Sequence, residues 1–224
     1  MLGPLPILVV LALVFLLPLL FGELMMTSLA KLQLSPSTAL ALFIAIIVGG
    51  MINLPIRRLG SADERRSHPL AAYRLEGLMP GLWRTRRDSI LAVNVGGCLI
   101  PLLIVAYEVN LLAAGNRQAL VIAALISAFN VWVCYRIARP IAKVGIMMPA
   151  LVSPLVAALL AMFLAPGESA PAVAFIAGVL GPLIGADLFH LKDFERSGAA
   201  IVSIGGAGTF DGIVLSGILA AYLA

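Results

Sequence analysis

The stretch Ile201-Val202-Ser203-Ile204-Gly205-Gly206-Ala207-Gly208-Thr209-Phe210-Asp211-Gly212 opens the last apolar segment of the chain and holds four glycines and one carboxylate. Glycine in a helix interior costs about 1 kcal/mol relative to alanine and lets another backbone or a substrate come close. A carboxylate inside a membrane span is costly enough to be a functional hypothesis by default. Together they predict a glycine-rich break in the last span. At membrane depth such a break is tolerated only where it is buried in protein or lines a cavity.

The surrounding composition places this stretch in lipid. Of 224 residues, 62% are hydrophobic and 12% charged, with a mean hydropathy of +1.08, against about 25% charged in soluble domains. Apolar runs predict helices near 4–22, 38–56, 89–107, 118–137, 145–164, 171–190 and 199–223. A span needs about 20 such residues. The expected fold is therefore all-α: a polytopic membrane helical bundle of about seven transmembrane helices, forming a single integral membrane domain over residues 1–224. Met1–Phe21 has no basic n-region and no Ala-x-Ala-like cleavage site after it, so it is expected to stay as the first helix.

The connection 57–88 is the only sizeable polar segment and carries eight arginines, against four acidic residues. With seven spans, the loops after helices two, four and six hold eight, three and two of the fifteen basic residues, leaving only Lys31 and Arg117 on the other side. The positive-inside rule then predicts a multi-pass protein of the cell membrane with a cytoplasmic N-terminus, a cytoplasmic loop 57–88 and an exoplasmic C-terminus. Within that loop, Leu70 to Arg87 interleaves aliphatic and aromatic residues with arginines, which suits either a short interfacial helix or a solvated loop. Because orientation accounts for the basic residues, no nucleic-acid partner is expected. The expected partners are the lipid bilayer and either a transmembrane peptide substrate or a small ion. Cys98 and Cys134 lack metal-ligand spacing with His68 and His190, so they read as packing residues and no metal or cofactor is expected. No internal repeat signals an inverted-repeat transporter.

Two aspartates are the candidate catalytic residues. Asp187 ends Gly181-Pro182-Leu183-Ile184-Gly185-Ala186-Asp187 in helix six, and Asp211 lies in the final span. Two carboxyl groups in one cavity do not both ionise easily, so one holds a proton while the other stays charged; that arrangement suits activation of water or carriage of a proton or cation. Gly205, Gly206, Gly208 and Gly212 are expected to admit a substrate, and Asn94 and Asn130 to line a polar interior. Geometry sets a condition. On a straight helix from residue 199, Asp211 would lie about 18 Å deep, far from Asp187 near the membrane edge. The two meet only if residues 199–207 run as a strand or re-entrant segment and the helix begins near Gly208 or Thr209. The structural readings are that Asp187 is an interfacial residue near Lys192 and Arg196, and that Asp211 bonds across helices to Asn94, Asn130 or Ser203. His190 reads as a membrane-edge residue or a proton partner of Asp187.

Gly205 to Gly212, read with Ile184 to Asp187 and Asn94 to Gly97, resembles the signature of a family of prokaryotic multi-spanning membrane proteins of unknown function, over most of the chain. More loosely, the chain is similar to the intramembrane aspartyl proteases that include presenilins, signal peptide peptidases and prepilin peptidases. Those proteins place two aspartates on successive helices, and the presenilin-like members use a Pro-Ala-Leu triplet for substrate. The resemblance implies a catalytic role for Asp187 and Asp211, and substrate binding by Pro149-Ala150-Leu151. The sequence departs from that pattern in three places. Phe210 stands where the Gly-x-Gly-Asp motif has glycine, Ala186 replaces the tyrosine before the first aspartate, and the triplet precedes both aspartates. Three functions stay open: an aspartyl intramembrane protease, a proton- or cation-coupled transporter or channel with Asp211 in its path, and a structural or assembly protein.

Overall fold

A computed structural model describes residues 4–65, 84–141, 145–192, 201–206 and 211–224. Seven α-helices occur among them: α1 (Pro4–Lys31), α2 (Pro36–Gly49), α3 (Ile100–Gly115), α4 (Arg117–Ile137), α5 (Val152–Leu164), α6 (Ala170–Leu180) and α7 (Gly212–Leu223). A π-helical turn, Val95–Leu99, leads into α3, and a second, Gly181–Leu188, extends α6. The strands are β1 (Asn53–Arg65), β2 (Arg84–Asn94), β3 (Arg139–Ile141), β4 (Gly145–Met147) and β5 (Ile201–Ile204).

The all-α expectation needs correction at one end of the bundle. A three-stranded sheet in the order β1-β2-β5 stands there, with β1 antiparallel and β5 parallel to the central β2. Helix two, expected to reach residue 56, stops at Gly49; Pro55 pushes Leu54 out of the α region and the chain turns into β1. Helix three, expected from 89, begins only at Val95. The apolar run Ile90-Leu91-Ala92-Val93 is a strand flanked on both sides, with Leu91, Ala92 and Val93 buried, and periodicity alone does not separate such a strand from a helix. Residues 145–147 pair with 139–141 as a short hairpin, so the fifth helix begins at Val152 instead of 145. The stretch 70–87, expected as either a short interfacial helix or a solvated loop, lies outside the described residues over 70–83, and 84–87 belong to β2.

Among the described residues, three helical segments are long and apolar enough to cross a membrane: Val95–Gly115, Arg117–Ile137 and Gly167–Leu188. At 1.5 Å per residue each spans roughly 30 Å, the thickness of a hydrocarbon core. The outward faces of α3, α4 and α5 carry exposed Leu103, Leu125 and Phe163, as lipid contact requires. The helices are compatible with membrane insertion.

The extended α6 forms the centre, enclosed by α4, α5 and α7. Every residue from Ala172 to Val179 is buried. Small residues set this packing: a Cβ on Gly178 would come 2.7 Å from the Ser216 carbonyl oxygen and 2.9 Å from the Ala220 Cβ. Close backbone approach of this kind lets helices associate in lipid, where no hydrophobic force drives them together. A buried polar chain supplements it. Asn130 of α4, fully buried, donates to Ser153 Oγ at 3.0 Å and to the Ala177 carbonyl at 2.9 Å, and Ser153 meets Ser216 of α7 at 2.6 Å.

Candidate functional site

The parallel pairing of β2 with β5 builds the site, because each of these strands feeds a helix running into the bundle. The register pairs Ile90 with Ile201 and Val93 with Ile204, so Asn94 and Gly205 leave the sheet side by side. Asn94 caps the turn into α3: its Oδ1 accepts the Gly97 amide at 2.7 Å, while its Nδ2 donates to the Gly50 carbonyl at 2.8 Å and to Asn53 Oδ1 at 3.1 Å. Asn53 Oδ1 also accepts the Ser203 hydroxyl. Three polar side chains thus fasten β1, β2 and β5 to the start of α3.

Gly205 turns the chain out of β5 with φ +70, in the left-handed region that glycine enters without a Cβ penalty. The space is also closed: a Cβ there would lie 2.6 Å from the Gly97 carbonyl carbon and 2.8 Å from the Cys98 nitrogen. The two backbones touch because both residues are glycine. After 207–210, Asp211 is the N-cap of α7, extended at φ -68 and ψ 147, with Oδ1 accepting the Ile213 amide at 2.9 Å.

The last span is therefore a strand, a turn and a twelve-residue helix, not one helix from 199. This is the geometry on which the meeting of the aspartates depended. The carboxyl groups of Asp187 and Asp211 lie within electrostatic reach of each other, and the Gly205 amide donates to Asp187. Both aspartates are half-buried. The π turn that carries Asp187 begins at Gly181-Pro182, where proline removes an amide from the helical ladder; the Phe189 amide reaches back five residues to Ile184 at 3.0 Å. Such turns recur at functional sites. Gly185 allows that turn to press on α4, where a Cβ would meet Cys134 Cβ at 2.9 Å.

Cys98, in the first turn of the α3 segment and 3% exposed, is in electrostatic range of both aspartates. Its apolar, helical sequence context gave no sign of this position. Gly97 is legible only as part of the family signature; its contact with Gly205 needs the parallel strand pair to be known.

The other candidate residues divide. Gly205 and Gly206 form the turn, with Gly205 buried and Gly206 exposed, and Gly212 opens α7, where a Cβ would sit 3.7 Å from the Met148 Cε. Gly208 lies outside the described residues. Pro149-Ala150-Leu151 form an exposed turn directly after Met148, which brings the triplet to the same end of the bundle as Asp211. Asn94 and Asn130, expected to line a polar interior, are fully buried and engaged in the internal bonds described above. His190 does not pair with Asp187 through Nδ1. That nitrogen donates to the carbonyls of Gly185 and Ala186 at 3.2 and 3.0 Å, and the ring stacks at 5.0 Å from Tyr135.

Fold and site together define an apolar helical bundle, compatible with membrane insertion, with Asp187 and Asp211 within electrostatic reach of each other at one end. The family profile of proteins of unknown function, DUF1614, matches residues 47–223, and the chain belongs to that family. The match takes in both aspartates, the sheet and the glycine-rich turn. No curated protein and no solved structure matches the chain.

Proposed function

We propose that this chain is an intramembrane aspartyl protease, with Asp187 and Asp211 as its acid–base pair. One observation carries the reading: the interrupted last span leaves both carboxyl groups within electrostatic reach, with the Gly205 amide donating to one of them. Two carboxyl groups that feel each other's charge in a partly buried site do not both ionise readily, so one holds a proton while the other stays charged. The ionised partner takes a proton from water as the water oxygen attacks the scissile carbonyl carbon, and the protonated partner gives its proton to the carbonyl oxygen. The gem-diol then collapses, the C–N bond breaks and the amine leaves with a proton. The exposed Pro149-Ala150-Leu151 turn is suited to contact a transmembrane peptide beside the pair. On the charge distribution of the loops, the site lies at the cytoplasmic end of a single integral membrane unit with its N-terminus on the same side.

A transport role draws less support, because the two asparagines expected along its path are engaged in structural bonds. The test is cleavage of fluorogenic transmembrane peptides by the purified protein in vesicles. Asp187→Asn and Asp211→Asn are each expected to lower the rate by about 10²–10⁴-fold with the fold intact. Cleavage retained in either variant refutes the shared-proton mechanism.

A further inference from the structure

A second site stands at the other end of the bundle, where the α1–α2, α3–α4 and α5–α6 turns meet the end of α7. Here Lys31 donates to the Tyr222 carbonyl and sits 5.6 Å from the ring centroid of the same residue. A cavity of about 280 Å³ opens between Lys31, Gln33, Glu108, Asn116, Glu168 and Ser169. Glu108 lies ten residues beyond Cys98 on the same helical segment, about 15 Å along the axis, so this cavity is separate from the aspartate pair.

Glu108 forms part of the cavity wall, is only 3% exposed, and has an Oε1 with no hydrogen-bond partner among the described residues. A buried polar atom left unpaired is costly, more so when charged, so an unpaired carboxyl oxygen at a cavity wall calls for a donor from outside the chain. Its surroundings narrow the donor. No group of three or more metal-ligating side chains occurs among the described residues. A carboxyl oxygen accepts N–H donors, which a primary ammonium has and a trimethylammonium lacks. Lys31, exposed at the same cavity, is a cation for an anionic group beside that ammonium.

The ligand also has a greasy part. A second cavity of about 510 Å³ begins at Gln33, which lines both, and follows α3 past Tyr107, Ile104 and Leu103, with Leu34 and Leu42 opposite. Polar cavity and apolar cavity thus adjoin on one helix, the apolar one lying nearer the middle of the span. We propose that this pair of cavities binds a phospholipid whose headgroup ends in a primary ammonium. The ammonium donates to Glu108, the phosphate faces Lys31, and an acyl chain lies along Leu103 and Ile104.

The test is native mass spectrometry of the detergent-purified protein titrated with phosphatidylethanolamine or phosphatidylcholine of the same chains. Phosphatidylethanolamine is expected to bind at least tenfold more tightly, and Glu108→Gln to remove that preference. Leu103→Trp, which fills the apolar cavity from an exposed position, is expected to weaken phosphatidylethanolamine binding several-fold with the headgroup cavity intact. It also serves if Glu108→Gln does not fold. Equal binding of the two lipids overturns the proposal, as does a preference that survives Glu108→Gln or binding unchanged in Leu103→Trp. Competition by soluble phosphoethanolamine at concentrations matching the lipid would show that the headgroup alone suffices, which overturns the assignment of the apolar cavity.

Discussion

Replacing Gly205 by alanine tests how the last span is broken. Two costs add. The residue sits at φ +70, where an L side chain is strained by about 1–2 kcal/mol. The new methyl would also lie 2.6 Å from the Gly97 carbonyl carbon and 2.8 Å from the Cys98 nitrogen, both backbone atoms fixed by the Asn94 cap. Overpacking against atoms that do not yield costs about 1–3 kcal/mol. The sum is about 2–5 kcal/mol, or a fall in melting temperature of roughly 5–15 °C for a chain of this size. Gly212→Ala is the control. Its Cβ meets only the flexible Met148 Cε at an ordinary 3.7 Å, and alanine at the start of α7 is expected to be neutral or to stabilise by up to about 1 kcal/mol. Thermal unfolding in detergent, followed by circular dichroism, reads both. A Gly205→Ala protein melting within about 1 °C of the parent would refute the tight turn between Gly97 and Gly205.

Other outcomes follow from the same geometry. Asp211→Ala removes the N-cap of α7 and is expected to cost about 1 kcal/mol, whereas Asp211→Asn, an equally good cap, keeps stability and loses activity; melting and cleavage measured on both variants separate the two roles. Asn130→Ala removes two buried hydrogen bonds, to Ser153 Oγ and to the Ala177 carbonyl, and is expected to destabilise by about 1–3 kcal/mol in an unfolding titration. A shared proton requires one carboxyl protonated and one ionised, so cleavage is expected to be bell-shaped in pH; a rate flat across the range would contradict the mechanism.

Much of this was legible in the sequence, and what was missed has a common cause. The helices were found because lipid demands long apolar runs, and the broken last span because glycine and aspartate are both out of place there. Position 211 is conspicuous in the sequence for that reason. The sheet escaped because Ile90-Leu91-Ala92-Val93 and Ile201-Val202-Ser203-Ile204 are buried strands without alternation, which read as the ends of helices. Once those strands pair in parallel, Gly97 and Cys98 join the site, and neither proximity has a local signal. Glu108 carries no local signal in the sequence; its burial depends on how α1 and α6 close around it. The asparagines were recognised as polar interior residues, but not as members of closed networks, since partners such as Ser153 and Ser203 are far away in sequence.

The central claim is that Asp187 and Asp211 belong to one site. Asp187→Cys with Asp211→Cys, in a chain whose Cys98 and Cys134 are replaced by alanine, allows a short bis-methanethiosulfonate reagent to measure it. Mass spectrometry of the digested protein is expected to find the two positions joined within one chain, and Glu108→Cys paired with Asp187→Cys to remain unjoined. If both thiols at 187 and 211 take up single label in the folded protein yet never bridge, the two aspartates do not form a pair.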